Sequence, residues 1–109
     1  MAVEGEDFDL HPQAAQDITD IWEFIAITRG NPRAAGRVRQ DIMDAIINLV
    51  AFPGMGHRRD DLTGRPLLFW PVRDYLIAYA PAKRPLWVIA VLHGSRDPRI
   101  MAAILRERE

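Results

Sequence analysis

The spacing of apolar positions changes several times along this chain, and each change predicts an element. Phe8 and Leu10 alternate with Asp7 and Asp9, a period of two that predicts a short strand. Pro12 suits the first turn of a helix because its missing N–H would be unpaired there anyway. Ala14, Ile18, Ile21, Trp22 and Ile25 then recur at helical spacing, and Gly30 stands where a left-handed residue ends such a helix. Asn31 followed by Pro32 is a cap-then-proline signature, opening a second helix whose stripe is Ala35, Val38, Ile42, Ala45, Ile46 and Leu49. So short a turn predicts a helical hairpin.

Phe52 to Gly64, FPGMGHRRDDLTG, is rich in glycine, proline and charge and reads as a loop. Three strand-like runs follow, Pro66 to Val72, Asp74 to Ala80 and Leu86 to His93. The links Arg73-Asp74 and Pro81 to Pro85 are short enough for antiparallel hairpins. Asp97-Pro98 repeats the cap signature ahead of a last helix carrying Ile100, Met101, Ile104 and Leu105. The predicted fold is α+β: an N-terminal strand, a helical hairpin packed on a small antiparallel sheet in the order β-α-α-β-β-β, and a short C-terminal helix, all in one domain over residues 1–109.

Composition narrows the class. Hydrophobic residues at 49% and charged residues at 27% exclude a disordered chain. With no cysteine there are no disulfide staples and no thiolate metal sites, and a reducing cytoplasm is the natural setting. MAVEGEDFDL has neither the basic start nor the apolar core of a signal peptide, and no apolar run is long enough to span a bilayer, so no membrane partner is expected. His11, His57 and His93 lack metal-ligand spacing, and we expect neither metal nor cofactor.

The net charge of −1 hides an asymmetry. Residues 1–30 hold seven acids against one base, a net −6, and residues 31–109 hold eight against thirteen, a net +5. That excess is thin beside a dedicated nucleic-acid binder. The stretch WVIAVLHGSRDPRI focuses the question of chemistry. Asp97 reads as the cap of the last helix and Gly94 as the residue that lets the chain leave the strand. His93 and Arg96 remain as a catalytic pair, a phosphate clamp or structural furnishings. An imidazole can both accept and donate a proton, and the guanidinium fork matches phosphate or carboxylate.

Taken in order, HPQAAQDITDIWEFIA, AFPGMG, the FWPV run followed by YLI, and VLHGSRD resemble the RelE/ParE superfamily of small bacterial toxins, specifically the ParE-like, plasmid-stabilisation branch. The resemblance spans Phe8 to Asp97. It implies the toxin of a type II toxin–antitoxin pair, neutralised by a cognate antitoxin protein in a hetero-oligomeric complex. It further implies one of two modes of action: poisoning DNA gyrase by binding, or metal-independent cutting of mRNA on the ribosome. Ala102 stands near the place where the ribosomal nucleases carry a tyrosine, and HRRDDLTGR, with Asp60 and Asp61 offsetting Arg58 and Arg59, replaces their lysine-rich run. These departures favour a poison of DNA gyrase or of another protein target, with the endonuclease as the alternative. The candidate catalytic residues are His93 and Arg96. The candidate target-binding set is Arg58, Arg59, Arg65, His93 and Arg96, with the Arg58–Arg59 loop expected beside the His93 corner.

Helix geometry adds a partner surface. Phe24 and Ile27 project away from the Ile18–Trp22–Ile25 face, and Met43 and Ile47 away from the Val38–Ile42–Leu49 face. Either the fold or a second copy covers this surface, or it forms the antitoxin groove, since the resemblance implies an antitoxin that wraps the toxin with an extended segment and a helix. Trp22, Trp70 and Trp87 read as core or near-core aromatics. Tyr75 and Tyr79 share one strand face. His11 stands where the resembling sequences have a serine cap and is expected to weaken the first helix start.

Overall fold

The computed structural model describes residues 7–108, so Glu4 and Glu6 of the acidic start, and with them the first six residues of MAVEGEDFDL, lie outside the described residues. The elements are β1 (Phe8–Leu10), α1 (Pro12–Glu23, running on as a π-helical turn over Phe24–Thr28), α2 (Pro32–Ala51), a 3-10 turn (Pro53–Met55), β2 (Leu68–Val72), β3 (Tyr75–Ala80), β4 (Leu86–His93) and α3 (Pro98–Glu107). The sheet order is β1-β4-β3-β2. β2, β3 and β4 form the expected antiparallel meander, and β1 joins its open side parallel to β4, making the sheet mixed.

Each helix begins at its sequence signal. Asn31 Oδ1 accepts the Ala34 N–H at 3.1 Å and Asp97 Oδ1 accepts the Arg99 N–H at 2.8 Å, each satisfying a donor with no intrahelical partner. Gly30 takes φ +66° and ends the hairpin's first arm as anticipated. Gly94 serves differently from the expectation. Its backbone is not left-handed; its small size admits the Asp74 carbonyl, which accepts the Gly94 N–H at 2.7 Å and lies 3.3 Å from where a Cβ would stand.

His11 reverses the reading made of it. Its Nδ1 accepts the Gln13 N–H at 3.0 Å, so the imidazole is itself the cap of α1, and its ring leans on Trp87 at 5.7 Å between centroids. Burial and, after it, the Arg108 charge hold this imidazole below its usual 6.5; Arg65 adds to the effect and Asp17 opposes it. A lowered folded value means that, just below pH 6.5, the unfolded chain binds a proton the folded chain refuses. This part of the stability is whole above that pH and declines as pH falls toward the folded value. His11→Ser, which keeps a cap, should therefore flatten the loss of stability between pH 7.5 and 5.5 in urea titrations, within about 0.5 kcal/mol of wild type at the upper pH.

Two cores sandwich the sheet. The helical hairpin buries Ala14, Ile18, Val38, Ile42, Ile46 and Leu49 against Ile77, Tyr79, Leu86, Val88 and Val91. On the opposite face α3 buries Met101 and Leu105 against Phe69, Ala78, Ile89, Ala90 and Leu92, with Leu62 and Leu67 closing the side. Fully buried, Met101 and Leu105 contribute roughly 1.5–3 kcal/mol each, so α3 is an integral layer of the fold.

One irregularity shapes everything downstream. Ala78 pairs with Ala90 but Tyr79 pairs with Val88, leaving Ile89 without a partner across the ladder. Such a bulge shifts the alternation by one. Leu86 and Val88 face the hairpin, Ile89 and Ala90 both face α3, and Val91 faces the hairpin again. The polar groups around the bulge are held from the side. Asp17 Oδ2 accepts the Val91 N–H at 2.9 Å, and Arg108 Nη1 donates to the Ile89 carbonyl at 3.1 Å. Asp17 and Arg108 bond each other through two contacts of 2.7 and 3.1 Å. The pair thus substitutes for strand pairing where β1 stops at Leu10.

The FPGMG loop is pinned from below. The Tyr79 hydroxyl, on a wholly buried side chain, donates to the Pro53 carbonyl at 2.6 Å and accepts the Gly56 N–H at 2.9 Å. A Cβ on Gly56 would stand 2.6 Å from that hydroxyl and 3.0 Å from the Phe69 carbonyl, so only glycine fits.

Candidate functional site

A cleft of about 430 Å³ opens where the ends of β3 and β4 meet the hairpin tip. Because the bulge restores Val91 to the hairpin face, His93 emerges on that side too, and its ring meets the edge of Tyr75 at 5.3 Å. The His93 Nδ1 accepts the Ser95 N–H at 3.2 Å and contacts the Ser95 hydroxyl at 2.7 Å. An acceptor Nδ1 places the neutral ring's proton on Nε2. Burial, and secondarily the Asp74 charge, push the Tyr75 phenol above its ordinary value, with Arg29 pulling the other way.

The other walls come from α1 and the turns. Ile21, Phe24 and Ile25 form the apolar side, with Ala34 and Val38 of α2 behind them. The π-helical turn, in which the Arg29 N–H reaches back to the Phe24 carbonyl at 3.0 Å, brings the Arg29 guanidinium over the Phe24 ring at 5.2 Å. No periodicity in the sequence signals that extra residue. Arg73 lines the cleft from the β2–β3 turn and Arg96 from the exit of β4. Carboxylates are present as well: Asp20 and Asp74 line the cleft, and Asp17 is engaged by Arg108.

The candidate target-binding residues divide. His93 and Arg96 share the cleft, and the Arg96 guanidinium has no hydrogen-bond or ion-pair partner among the described residues. Arg58 and Arg59 are not beside them. His57 pairs with Phe69 on β2, so their loop runs along the outer edge of the sheet, three strand spacings from β4, or roughly 14 Å. There Arg58 holds Asp60 and Arg59 holds Asp61, each at 2.8 Å. Arg65 is turned to the α3 layer, where its Nη1 donates to the carbonyls of Leu105 and Arg108 at 2.9 and 2.7 Å and closes the helix end. Sequence reasoning missed Arg29, Arg73 and Tyr75 as cleft residues, since only the tertiary fold brings the three turns together.

The partner-surface residues also divide. Met43 lies with Leu10, Ala15, Ile18, Thr19, Trp22 and Arg39 around a groove of about 390 Å³ between the helices, and Ile47, 53% exposed, continues it one turn on. Phe24 belongs to the cleft on the other side of α1, and Ile27, 71% exposed, projects from the hairpin tip. The four do not form one face. Among the described residues no three His, Asp or Glu side chains converge where they could hold a metal ion, and no helix is long and apolar enough to cross a membrane.

Comparison with curated proteins finds no match. A family model described as the ParE toxin of type II toxin–antitoxin systems, parDE, matches residues 8–98, from β1 to the first residue of α3. That span takes in the hairpin, the pinned loop, the meander and the His93 corner, and on it we conclude that the chain belongs to the ParE toxin family of type II toxin–antitoxin systems, whose toxins are paired with a cognate antitoxin.

Proposed function

We propose that this toxin acts by gripping a protein, with DNA gyrase as the target, and that the His93 cleft is the gripping surface. The carrying observation is the make-up of that cleft. RNA cleavage without a metal needs a group to take the 2′-OH proton, a group to protonate the leaving oxygen and cations for the crowded phosphate. Here one face of His93 is tied to Ser95, burial makes the Tyr75 proton harder to remove, and Asp20 and Asp74 would repel a phosphate backbone. Ala102, where the nucleases' tyrosine would be sought, is part of α3.

Purified toxin should inhibit supercoiling by gyrase and leave mRNA intact in a ribosome translation system. Codon-dependent cleavage in that system would overturn the reading in favour of the ribosome-dependent endonuclease. His93→Ala separates the two by magnitude. A general acid or base lost there would cost about 10²–10⁴ in rate, whereas a binding poison loses about tenfold or less in affinity.

The antitoxin, on this reading, lays a helix in the Trp22–Met43 groove and extends past Ile47, and the complex is hetero-oligomeric. The apolar lining supports this, with Arg39 at the rim to meet an acidic residue. Met43→Asp combined with Ile47→Asp should weaken antitoxin binding by about a hundredfold or more, because each charge would be buried in the interface. Isotherms that match the wild type, with circular dichroism unchanged, would rule the groove out. The setting we infer is the cytoplasm, and the action described needs no cofactor.

A further inference from the structure

Arg73 is the one described non-glycine residue with a positive φ, +54°, in the two-residue turn between β2 and β3. The left-handed region is where glycine, asparagine or aspartate is ordinarily found, because the Cβ of other residues crowds the backbone there. An arginine held in that conformation is strained, and local strain of this kind gathers at functional sites. Its one bonded partner does not account for it. Arg73 Nε bonds Asp41 Oδ2 at 2.6 Å, but both side chains are 46% exposed, and solvent-exposed pairs contribute little to stability. The two terminal nitrogens of the fork have no other partner among the described residues.

Arg73 lines a cleft that Arg29 and Arg96 also line, so three arginines reach it from three separate turns. The apolar wall of the same cleft includes Phe24, which is 47% exposed. Asp20 and Asp74 sit along the same cleft. A continuous phosphate backbone would meet those carboxylates, whereas a peptide can place a carboxylate at the arginines and an apolar side chain between. We propose that Arg73, with Arg29 and Arg96, is a clamp for a carboxylate-bearing segment of a partner protein whose neighbouring apolar side chain docks against Phe24. The proposal rests on reading the cleft as a protein-gripping surface and makes Arg73 a determinant of which partner is taken.

The test uses growth inhibition on induction without antitoxin, which reads toxicity whatever the target, together with thermal unfolding of toxin purified through its antitoxin complex. Arg73→Gly and Arg73→Asn both tolerate the left-handed turn, so their melting temperatures should equal or exceed that of the wild type while the inducer needed for growth arrest rises about tenfold. Arg73→Lys should recover part of the toxicity, and Asp41→Ala should retain it. Full toxicity of Arg73→Gly and Arg73→Asn would overturn the clamp. So would an equal loss in Asp41→Ala, which would show the guanidinium serving the fold alone. Binding of a short single-stranded oligonucleotide that Arg73→Gly abolishes would overturn the carboxylate assignment in favour of phosphate. Growth arrest that depends on Arg73 while gyrase supercoiling is untouched would leave the clamp standing and remove gyrase as its partner.

Discussion

Replacing Asp17 by alanine should lower the unfolding free energy by about 3–5 kcal/mol, the usual cost of removing one partner of a buried ion pair. The side chains of Asp17 and Arg108 are only 15% and 10% exposed, so the stranded guanidinium would have little water to turn to. The Val91 N–H would lose its acceptor as well. For a domain of this size the loss corresponds to roughly 12–25 °C in melting temperature, read by calorimetry or circular dichroism. Arg108→Ala should fall in the same range, because it strands the carboxylate and leaves the Ile89 carbonyl unpaired. The double variant Asp17→Leu with Arg108→Met should recover only part of the loss, since it removes the stranded charge but leaves the Val91 N–H and the Ile89 carbonyl unpaired. If either single variant loses less than about 1 kcal/mol, the pair is solvated in solution and does not hold the bulge.

Gly56→Ala should cost about 2–3 kcal/mol, toward the upper end for overpacking, because the added methyl meets both a hydroxyl and a backbone carbonyl. Tyr79→Phe should cost about 2 kcal/mol by leaving the Pro53 carbonyl and the Gly56 N–H without their partner. The two effects share an atom, so they will not add. Removing the hydroxyl removes the tightest contact of the new methyl, and the double variant should be more stable than the sum of the singles predicts by about 1 kcal/mol. Strict additivity in a urea double-mutant cycle would show that the loop relaxes away from the strand and that Tyr79 is not its anchor.

The elements were legible because each is announced locally. Asn31-Pro32 and Asp97-Pro98 start their helices where the side-chain caps are found, Gly30 takes its left-handed angle, and both hairpin links close as read. The composition of the cleft was only partly legible. His93 and Arg96 lie in one chain segment that the strand delivers together, so sequence proximity sufficed. Arg29 and Arg73 reach the same place through a π-helical turn and a left-handed arginine, features set by how the layers dock and carried by no residue pattern. Arg58, Arg59 and Arg65 were placed by charge alone, and charge gives no direction: two are held by neighbouring aspartates and the third by a helix end. His11 was misjudged because serine is the usual cap, although an imidazole nitrogen accepts the same N–H.

The unpaired Ile89 gives β4 a parity that its composition cannot reveal. From Trp87 to Leu92 every residue is apolar, so the strand would bury comparable surface in either phase. With strict alternation from Leu86, it is Leu92 that would look into the cleft, and His93 would turn toward α3. Which residue enters the cleft is therefore decided by an odd or even count made four positions upstream, where Arg108 holds the Ile89 carbonyl and Asp17 the Val91 N–H. In a chain without the extra residue, the side chain entering the cleft would stand one place away from position 93 in an alignment.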